Sequence, residues 1–216
     1  MKSRARDIVV VGTSAGGFPA LRHLLAGLPE DLSGSIFVVL HLAPSSPGAI
    51  PELLDRVSKL PVRAAIDGHA IARGAIYVAP ADRHLMLIDG RMRVVHGPKE
   101  NHHRPSIDAL FRSAAEHYGS RVIGVILTGM LDDGRLGLRT VKDRGGIAIV
   151  QNPADAQYPD MPANAVRDVE VDHVVNLADL PPLLVRLMRM REIGESTGVT
   201  CPTCHGSRKA STVRGA

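Results

Sequence analysis

The sequence contains no tryptophan, and only three tyrosines and three phenylalanines occur among its 216 residues. A hydrophobic core must therefore be built from Val, Ile, Leu and Ala, a composition typical of helices packed on a parallel sheet. Two cysteines are too few for a disulfide framework. No apolar run approaches the roughly 20 residues of a membrane-spanning helix, and residues 1–7, which are rich in charge, do not resemble a signal peptide. We therefore expect a cytoplasmic protein that is not inserted in a membrane.

Hydrophobic residues make up 44% of the chain, which is enough for one substantial core. The formal net charge of +4 is modest, and many of the basic residues lie near the two ends. A nucleic-acid binder would more often show a continuous basic stripe with interleaved aromatic residues, so we expect no nucleic-acid partner. We predict one domain over residues 1–193, followed by a basic, disordered tail over residues 194–216.

The tail contains the sequence C-P-T-C-H, which includes Cys201, Cys204 and His205. This pattern matches a c-type haem attachment site and also half of a zinc ribbon. Haem attachment requires export, and the second half of a ribbon is not present in the sequence. We therefore expect a tail without function, no cofactor and no metal, with a metal shared between chains as the alternative.

A glycine-rich stretch, I-V-V-V-G-T-S-A-G-G, occupies residues 8–17. Its β-branched residues predict a strand buried on both faces, and its glycines permit a tight turn into a helix that carries Leu21, Leu24, Leu25 and Leu28 on one face. Ser14 is then exposed at a strand-to-helix turn, where free N–H groups can stabilise negative charge. That position suits a nucleophile, although similar turns also bind phosphate or simply pack a helix on a sheet.

Strands and helices alternate along the rest of the sequence. Further strands are predicted at residues 35–42, 62–66, 75–79, 122–128, 147–150 and 173–177. Further helices are predicted at residues 50–60, 106–118 with Ser106 as N-cap, 135–144 after a loop over residues 129–134, 162–168 and 180–193. Residues 84–95 are different, because Asp89-Gly90 between two apolar runs predicts an antiparallel hairpin. We predict an α/β fold with a doubly wound, mostly parallel sheet and an inserted antiparallel hairpin.

Polar side chains follow three of the strongest strands. They are Ser14, His41 and the Asp132-Asp133 pair, and a ligand crevice of such a sheet lies beyond the carboxyl ends of its strands. Serine, imidazole and carboxylate can act as a nucleophile, its general base and the group that orients the base. Each residue alone is more often structural, for example as a helix N-cap. The chain order Ser, His, Asp also differs from that of α/β-hydrolases, which excludes that fold.

Several motifs occur in order along the chain. They are G-T-S-A-G-G at residues 12–17, V-L-H-L at 39–42, A-I-Y-V-A-P-A-D-R-H at 75–84, H-R-P-S-I-D-A-L-F at 103–111, V-I-L-T-G-M-L-D-D-G at 125–134, Q-N-P at 151–153 and M-P-A-N-A at 161–165. Together they resemble the catalytic domain of the CheB-type protein-glutamate methylesterases of bacterial chemotaxis. The resemblance covers most of the chain.

The resemblance implies a hydrolase that removes methyl groups from glutamate methyl esters of chemotaxis receptors and releases methanol. Many members of the family also deamidate receptor glutamines. Ser14 matches the family nucleophile, His41 its base, and Asp133, rather than Asp132, the orienting carboxylate. No cofactor or metal is implied.

Residues near the predicted triad are expected to bind the oxyanion and to contact the substrate. The oxyanion would be bound by the N–H of Ala15, which follows the nucleophile at the start of a helix, and by the N–H of Met130, which the family places in its active site. The resemblance also implies substrate contacts from His103 and Arg104. Where some family members have threonine after the serine, this chain has Ala15, so only the backbone donor remains.

The expected partners are methyl-accepting receptor proteins. Many family members carry an N-terminal receiver domain, whereas the first strand here begins at residue 8, so regulation by phosphorylation would require a separate receiver protein. Three other functions stay open, and one of them, a catalytically idle scaffold in a signalling array, is disfavoured by the complete set of triad residues. The chain could be a serine esterase or amidase for a small substrate, or a non-enzymatic nucleotide-binding module. The module is less well supported, because residues 41–46 lack the acidic residue that would bind a ribose.

Overall fold

A computed structural model of the protein describes residues 6–46 and 48–190. Its strands are β1 (Ile8–Thr13), β2 (Ser35–Leu40), β3 (Val62–Ala64), β4 (Ala75–Val78), β5 (His84–Ile88), β6 (Arg91–Val95), β7 (Val122–Ile126), β8 (Ile147–Gln151) and β9 (His173–Val175). Its α-helices are α1 (Gly17–Ala26), α2 (Ile50–Asp55), α3 (Ile107–Tyr118), α4 (Arg135–Asp143), α5 (Asp160–Asp168) and α6 (Leu180–Arg189). Among the described residues, no helix is both long enough and apolar enough to cross a membrane.

Seven of the strands form one sheet in the order β3-β4-β2-β1-β7-β8-β9, and all neighbouring pairs in it are parallel. In chain order, β2, β3 and β4 are added on one side of β1, and β7, β8 and β9 are then added on its other side. Such a change of direction opens a crevice at the carboxyl ends of β1 and β7, which is where α/β proteins bind ligands. The strands β5 and β6 pair antiparallel in a separate hairpin. The predicted fold class is confirmed.

The core lies in two apolar layers, one on each face of the sheet. Leucines of α1 and α6 pack on one face, while α3, α4, α5 and the hairpin cover the other. The central strands are buried on both faces, as their runs of β-branched residues predict: all six residues of β1 and all six of β2 are buried. The sheet is therefore a rigid base on which the loops at its carboxyl edge are held.

Two glycines let α3 approach this edge closely. A Cβ on Gly12, in β1, would collide with the side chain of Ile107, and a Cβ on Gly134 would lie 2.6 Å from Ile107 Cγ2. Gly134 also has a φ of 95°, which favours glycine. The first turn of α3 consequently lies directly beside the residues that precede α4.

Several predicted boundaries differ from the structure. Helix α2 ends at Asp55 instead of residue 60, because the Asp55 carboxylate accepts the Val62 N–H at 2.8 Å and the chain turns towards β3. Ser106 occupies the N-cap position of α3 but makes no side-chain capping bond, since its hydroxyl is hydrogen-bonded elsewhere. The predicted domain boundary at residue 193 and the tail with Cys201 and Cys204 lie outside the described residues.

Candidate active site

Ser14 and His41 lie next to each other at the carboxyl edge of the sheet. The strands β1 and β2 pair up to Thr13 and Leu40, and Ser14 and His41 are the residues that follow each. The His41 N–H donates to the Thr13 carbonyl at 3.1 Å, which extends the ladder by one residue. Because neighbouring strands are about 4.8 Å apart, their two side chains can meet at this edge.

Asp133 meets His41 from the other side of the site. The His41 Nε2 lies 2.8 Å from Asp133 Oδ2, and the exposed fractions of the two side chains are 7% and 0%. An ionised carboxylate only accepts hydrogen bonds, so Nε2 carries the proton. The other ring nitrogen, Nδ1, is buried and has no hydrogen-bond partner within the described residues. His41 is thus held in the form that leaves Nδ1 free to accept a proton.

Four further donors surround the Asp133 carboxylate. Oδ2 accepts the Ile107 N–H at 2.7 Å, while Oδ1 accepts the Ser106 hydroxyl at 3.0 Å, the Asn101 Nδ2–H at 2.9 Å and, more weakly, the Asp108 N–H at 3.4 Å. Asp133 therefore caps helix α3, although it precedes α4 in the chain. Burial acts to raise the pKa of Asp133, but the hydrogen bonds from His41, Asn101 and the Ile107 N–H outweigh it and hold that pKa below its usual value.

His103 stacks on His41. The two ring centroids are 3.7 Å apart with 11° between the ring planes. Burial, followed by the neighbouring charge of His41, lowers the pKa of His103. The His103 imidazole, in its neutral form, therefore covers His41, and its buried Nε2 has no hydrogen-bond partner among the described residues.

The loop after β7 packs closely on the turn that carries Ser14. The Ser14 N–H donates to the Thr128 carbonyl at 3.1 Å, and the Thr128 hydroxyl donates to the Ala15 carbonyl at 3.1 Å. A Cβ on Gly129 would lie 3.0 Å from Ser14 Cβ and closer still to the Met161 side chain, so glycine favours this close approach. The backbone of Met130 is the next unit along this loop. Ala15 N–H and Met130 N–H make no hydrogen bond to any described residue.

The hydroxyl of Ser14 makes no hydrogen bond to His41 or to any other residue in the two described segments. Hydrogen bonds between a nucleophile and its base are often long in an enzyme without substrate and shorten when the substrate binds. The structure therefore brings the three residues of the predicted triad to one site, with the His41–Asp133 pair already formed.

Arg104 is already engaged by other residues. Its guanidinium donates to Asp82 Oδ1 at 2.8 and 2.6 Å and to the Gly97 carbonyl at 2.6 Å. Asp132, in contrast, is about half exposed and contacts Arg135 at 3.4 Å. Arg104 thus ties its loop to neighbouring segments, and its predicted contact with the substrate stays a prediction.

Asn101 and Asp108 have contacts at the site that the sequence did not indicate, and Ser106, which occupies the predicted N-cap position, donates its hydroxyl to Asp133. All three lie in the polar stretch around H-R-P-S-I-D, where each is a residue type that can hydrogen-bond a carboxylate or a helix end. Their spacing alone does not indicate that the partner is Asp133, which lies 25 or more residues away in the chain. Within the residues that the structure describes, no group of three or more His, Cys, Asp or Glu side chains could hold a metal ion.

Comparison with known proteins reveals consistent similarities. The family model described as CheB methylesterase matches residues 9–184. A protein of Leptospira interrogans named putative protein-glutamate methylesterase/protein-glutamine glutaminase is 37% identical over 182 residues, which is 84% of this chain and 94% of that protein. A protein of Anaeromyxobacter dehalogenans named protein-glutamate methylesterase/protein-glutamine glutaminase 5 is 42% identical over 84% of this chain and 51% of its own length.

A solved structure is also similar to this chain. The crystal structure of the Thermotoga maritima CheB methylesterase catalytic domain superposes with a TM-score of 0.81 at 34% sequence identity. The match covers 85% of this chain and 100% of that domain. The family model, which matches residues 9–184, spans the sheet, the hairpin and the loops that carry the site.

Proposed function

Because this chain belongs to the CheB methylesterase family, we propose that it hydrolyses glutamate methyl esters of chemotaxis-type receptors through Ser14, His41 and Asp133. The names of its relatives include protein-glutamine glutaminase, so the proposal extends to deamidation of receptor glutamines. One observation carries the assignment of the residues. The buried His41–Asp133 pair leaves Nδ1 of His41 unpartnered at the edge where Ser14 also lies.

The first half of the reaction transfers the glutamyl group to Ser14. His41 Nδ1 takes the hydroxyl proton as Ser14 Oγ attacks the ester carbonyl carbon, and Asp133 stabilises the imidazolium that forms. When the tetrahedral intermediate collapses, the bond to the methoxy oxygen breaks. The proton on Nδ1 passes to that oxygen, so methanol leaves and a glutamyl ester of Ser14 remains.

The second half regenerates the enzyme. A water molecule attacks the ester carbonyl, its proton passes to His41 Nδ1, and the same proton returns to Ser14 Oγ as the bond to serine breaks. The glutamic acid that leaves releases the second proton of the water to solvent, so the product is the glutamate carboxylate. With a glutamine substrate the steps are the same, except that the leaving group of the first half is ammonia.

The oxyanion of both intermediates needs donors that are not otherwise used. The N–H groups of Ala15 and Met130 suit this role, because neither has an acceptor among the described residues. Ala15 follows Ser14 in the chain, and Met130 follows Gly129, which lies close to Ser14. Each such donor typically contributes about 100-fold to 1000-fold in kcat. Of the two predicted substrate contacts, Arg104 is ion-paired with Asp82, whereas His103 lies stacked on His41 beside the site.

The partners follow from the reaction. Family membership indicates methylated chemotaxis receptors as substrates. A separate receiver or regulatory protein and a cytoplasmic location belong to the proposal as well, and both rest on the sequence analysis. A small ester or amide as substrate is the alternative that the same triad would serve, since specificity depends on the loops around the crevice.

Methanol release from a methylated cytoplasmic receptor fragment tests this proposal. The variants are Ser14→Ala and His41→Ala, and Ser45→Ala is a matched control because Ser45 is an exposed serine on the loop after His41. We expect turnover by the native chain and by Ser45→Ala. The two triad variants should lose activity by a factor of about 1000 or more while they stay folded.

Other outcomes separate the parts of the proposal. If the native chain is inactive on receptor fragments but cleaves small esters in a Ser14-dependent way, the substrate is wrong and the chemistry is right. If Ser14→Ala retains full turnover on the receptor fragment, the assignment of the nucleophile is wrong.

A further inference from the structure

A tight turn over residues 100–103 presents two side chains to the site. Glu100 and His103 exchange both backbone hydrogen bonds, at 3.1 and 2.8 Å. The two residues between them, Asn101 and His102, have φ values of 48° and 67°. Two consecutive residues in the left-handed region are the geometry of a type I′ turn, in which asparagine is favoured. The turn places the His103 ring on His41 and points the Asn101 amide towards Asp133.

The amide of Asn101 bridges two carboxylates. Its Nδ2 donates to Asp133 Oδ1 at 2.9 Å and to Asp108 Oδ2 at 2.7 Å, which uses both of its hydrogens. Both partners are carboxylate oxygens, so the nitrogen and not the oxygen of the amide must face them. No other side chain in the described part of the chain donates to both carboxylates.

The two carboxylates also cap each other's helices. Asp133, which precedes α4, accepts the Ile107 N–H in the first turn of α3. Asp108, in that first turn of α3, accepts the Gly137 N–H in the first turn of α4 at 2.6 Å. Asp133 is therefore held by α3, which carries Asp108, and Asp108 is held by α4, which Asp133 precedes. Asn101 joins the two carboxylates, whose like charges would otherwise repel each other.

We propose that Asn101 is a positioning residue for the proposed reaction. Its amide holds Asp133 Oδ1, so that Asp133 Oδ2 stays directed at His41. The proposal rests on the proposed function, because positioning of the Asp133–His41 pair matters only if that pair takes up a proton. Ser106 contacts the same oxygen, but its hydroxyl has a single hydrogen and reaches Asp133 alone. Asn101 in addition screens Asp133 from Asp108.

The groups that face this pair of carboxylates are few. His41 follows β2, and His103 belongs to the turn. Arg112 lies on α3 and is ion-paired with Glu100 of the turn. Loss of the Asn101 donor leaves Asp133 more basic. The pKa of Asp133 then rises, because one of the hydrogen bonds that lower it is lost, and the acid limb of the kcat/KM profile, which requires an ionised Asp133, shifts to higher pH.

Asn101→Gly is the variant that tests the proposal, and His102→Gly is its matched control. Glycine removes the side chain and adopts a positive φ without strain, so the turn is retained in both variants. Both residues are exposed, but the Asn101 amide donates to Asp108 and Asp133, whereas His102 makes no hydrogen bond or ion pair to another described residue. The two variants therefore differ in the one contact in question.

The measurement is the pH dependence of kcat and KM on a methylated receptor fragment for the native chain and both variants. We expect Asn101→Gly to lower kcat by about 10-fold to 100-fold. Its KM should change by less than about 3-fold, and its acid limb should shift to higher pH. His102→Gly should match the native chain in all three quantities.

Two results would overturn the proposal. In the first, Asn101→Gly matches His102→Gly in kcat and in the acid limb. In the second, both variants lose activity equally because the turn is disturbed, which thermal unfolding would also report. An inactive native chain, in contrast, would contradict the proposed function itself and is recognised before any variant is compared.

Discussion

Two buried carboxylates lie at opposite edges of the same sheet and are stabilised in different ways. Asp7 precedes β1 at the amino edge, where Arg121 donates to it at 2.8 and 3.0 Å and Arg73 at 3.1 Å. Asp133 follows β7 at the carboxyl edge, where no guanidinium contacts it among the residues that the structure describes. Its donors are an imidazole, an amide, a hydroxyl and backbone N–H groups.

The difference shows how one fold uses the same side chain for structure and for chemistry. The charge of Asp7 is neutralised by two full positive charges, so it joins segments of the chain and offers nothing to a ligand. The charge of Asp133 is stabilised by dipoles alone. Its negative potential is therefore still available to a proton that arrives on His41, which is what the orienting group of a triad must provide.

The largest expected effect comes from changing the charge at the carboxyl edge. Asp133→Asn should lower kcat by about 10000-fold, because an amide facing His41 favours the wrong tautomer of the imidazole. Asp132→Asn is the matched control, since Asp132 is the adjacent and exposed aspartate, and it should keep native activity. Methanol release and circular dichroism of both variants check this prediction. Equal activity of the two variants would contradict the role of Asp133.

Much of the fold could be predicted from the sequence, because β-branched runs and glycine turns carry local information. The strands β1, β2 and β7 and the Asp89-Gly90 hairpin are examples. The proximity of Ser14 and His41 also follows, since both come directly after strong parallel strands. The donors around Asp133 could not be predicted in this way. Asn101 and Ser106 reach Asp133 through tertiary packing of α3 against the loop before α4, and no local pattern encodes a contact across that distance.

The amino edge should show the opposite behaviour when its carboxylate is changed. Asp7→Asn removes the negative charge and one of the two acceptor oxygens that Arg121 and Arg73 use, and because Arg73 is largely exposed we expect the free energy of unfolding to fall by about 2 kcal/mol. Methanol release should remain native at a temperature where the variant is folded. Urea unfolding followed by a kinetic assay makes the comparison, and a large loss of kcat in the folded variant would show that the two edges are coupled.

A smaller effect is expected at Asp108, whose pKa is raised, whereas the pKa of Asp133 is lowered. Burial, together with the charge of Asp133, raises the pKa of Asp108 to about 6, above its usual 3.8. The folded chain therefore binds this proton more tightly than the unfolded chain, so the contribution of Asp108 to stability is complete below the usual pKa and is lost as the pH rises through about 6.

Asp108→Asn should remove this pH dependence. Between pH 4 and pH 7 the native chain should lose about 1–2 kcal/mol of unfolding free energy relative to the variant. Urea unfolding of both chains at several pH values measures the difference. Parallel stability curves would mean that Asp108 titrates normally in the folded chain.

The most direct test of the central claim, that Ser14 is the nucleophile of the site built on His41 and Asp133, is graded modification with a serine-reactive phosphonate. Peptide mass spectrometry gives the fraction of Ser14 that is modified, and methanol release is measured on the same samples. We predict that activity falls in proportion to that fraction and that Asp133→Asn slows the labelling. Full activity after complete modification of Ser14, or labelling at another serine that parallels the loss, would contradict the account.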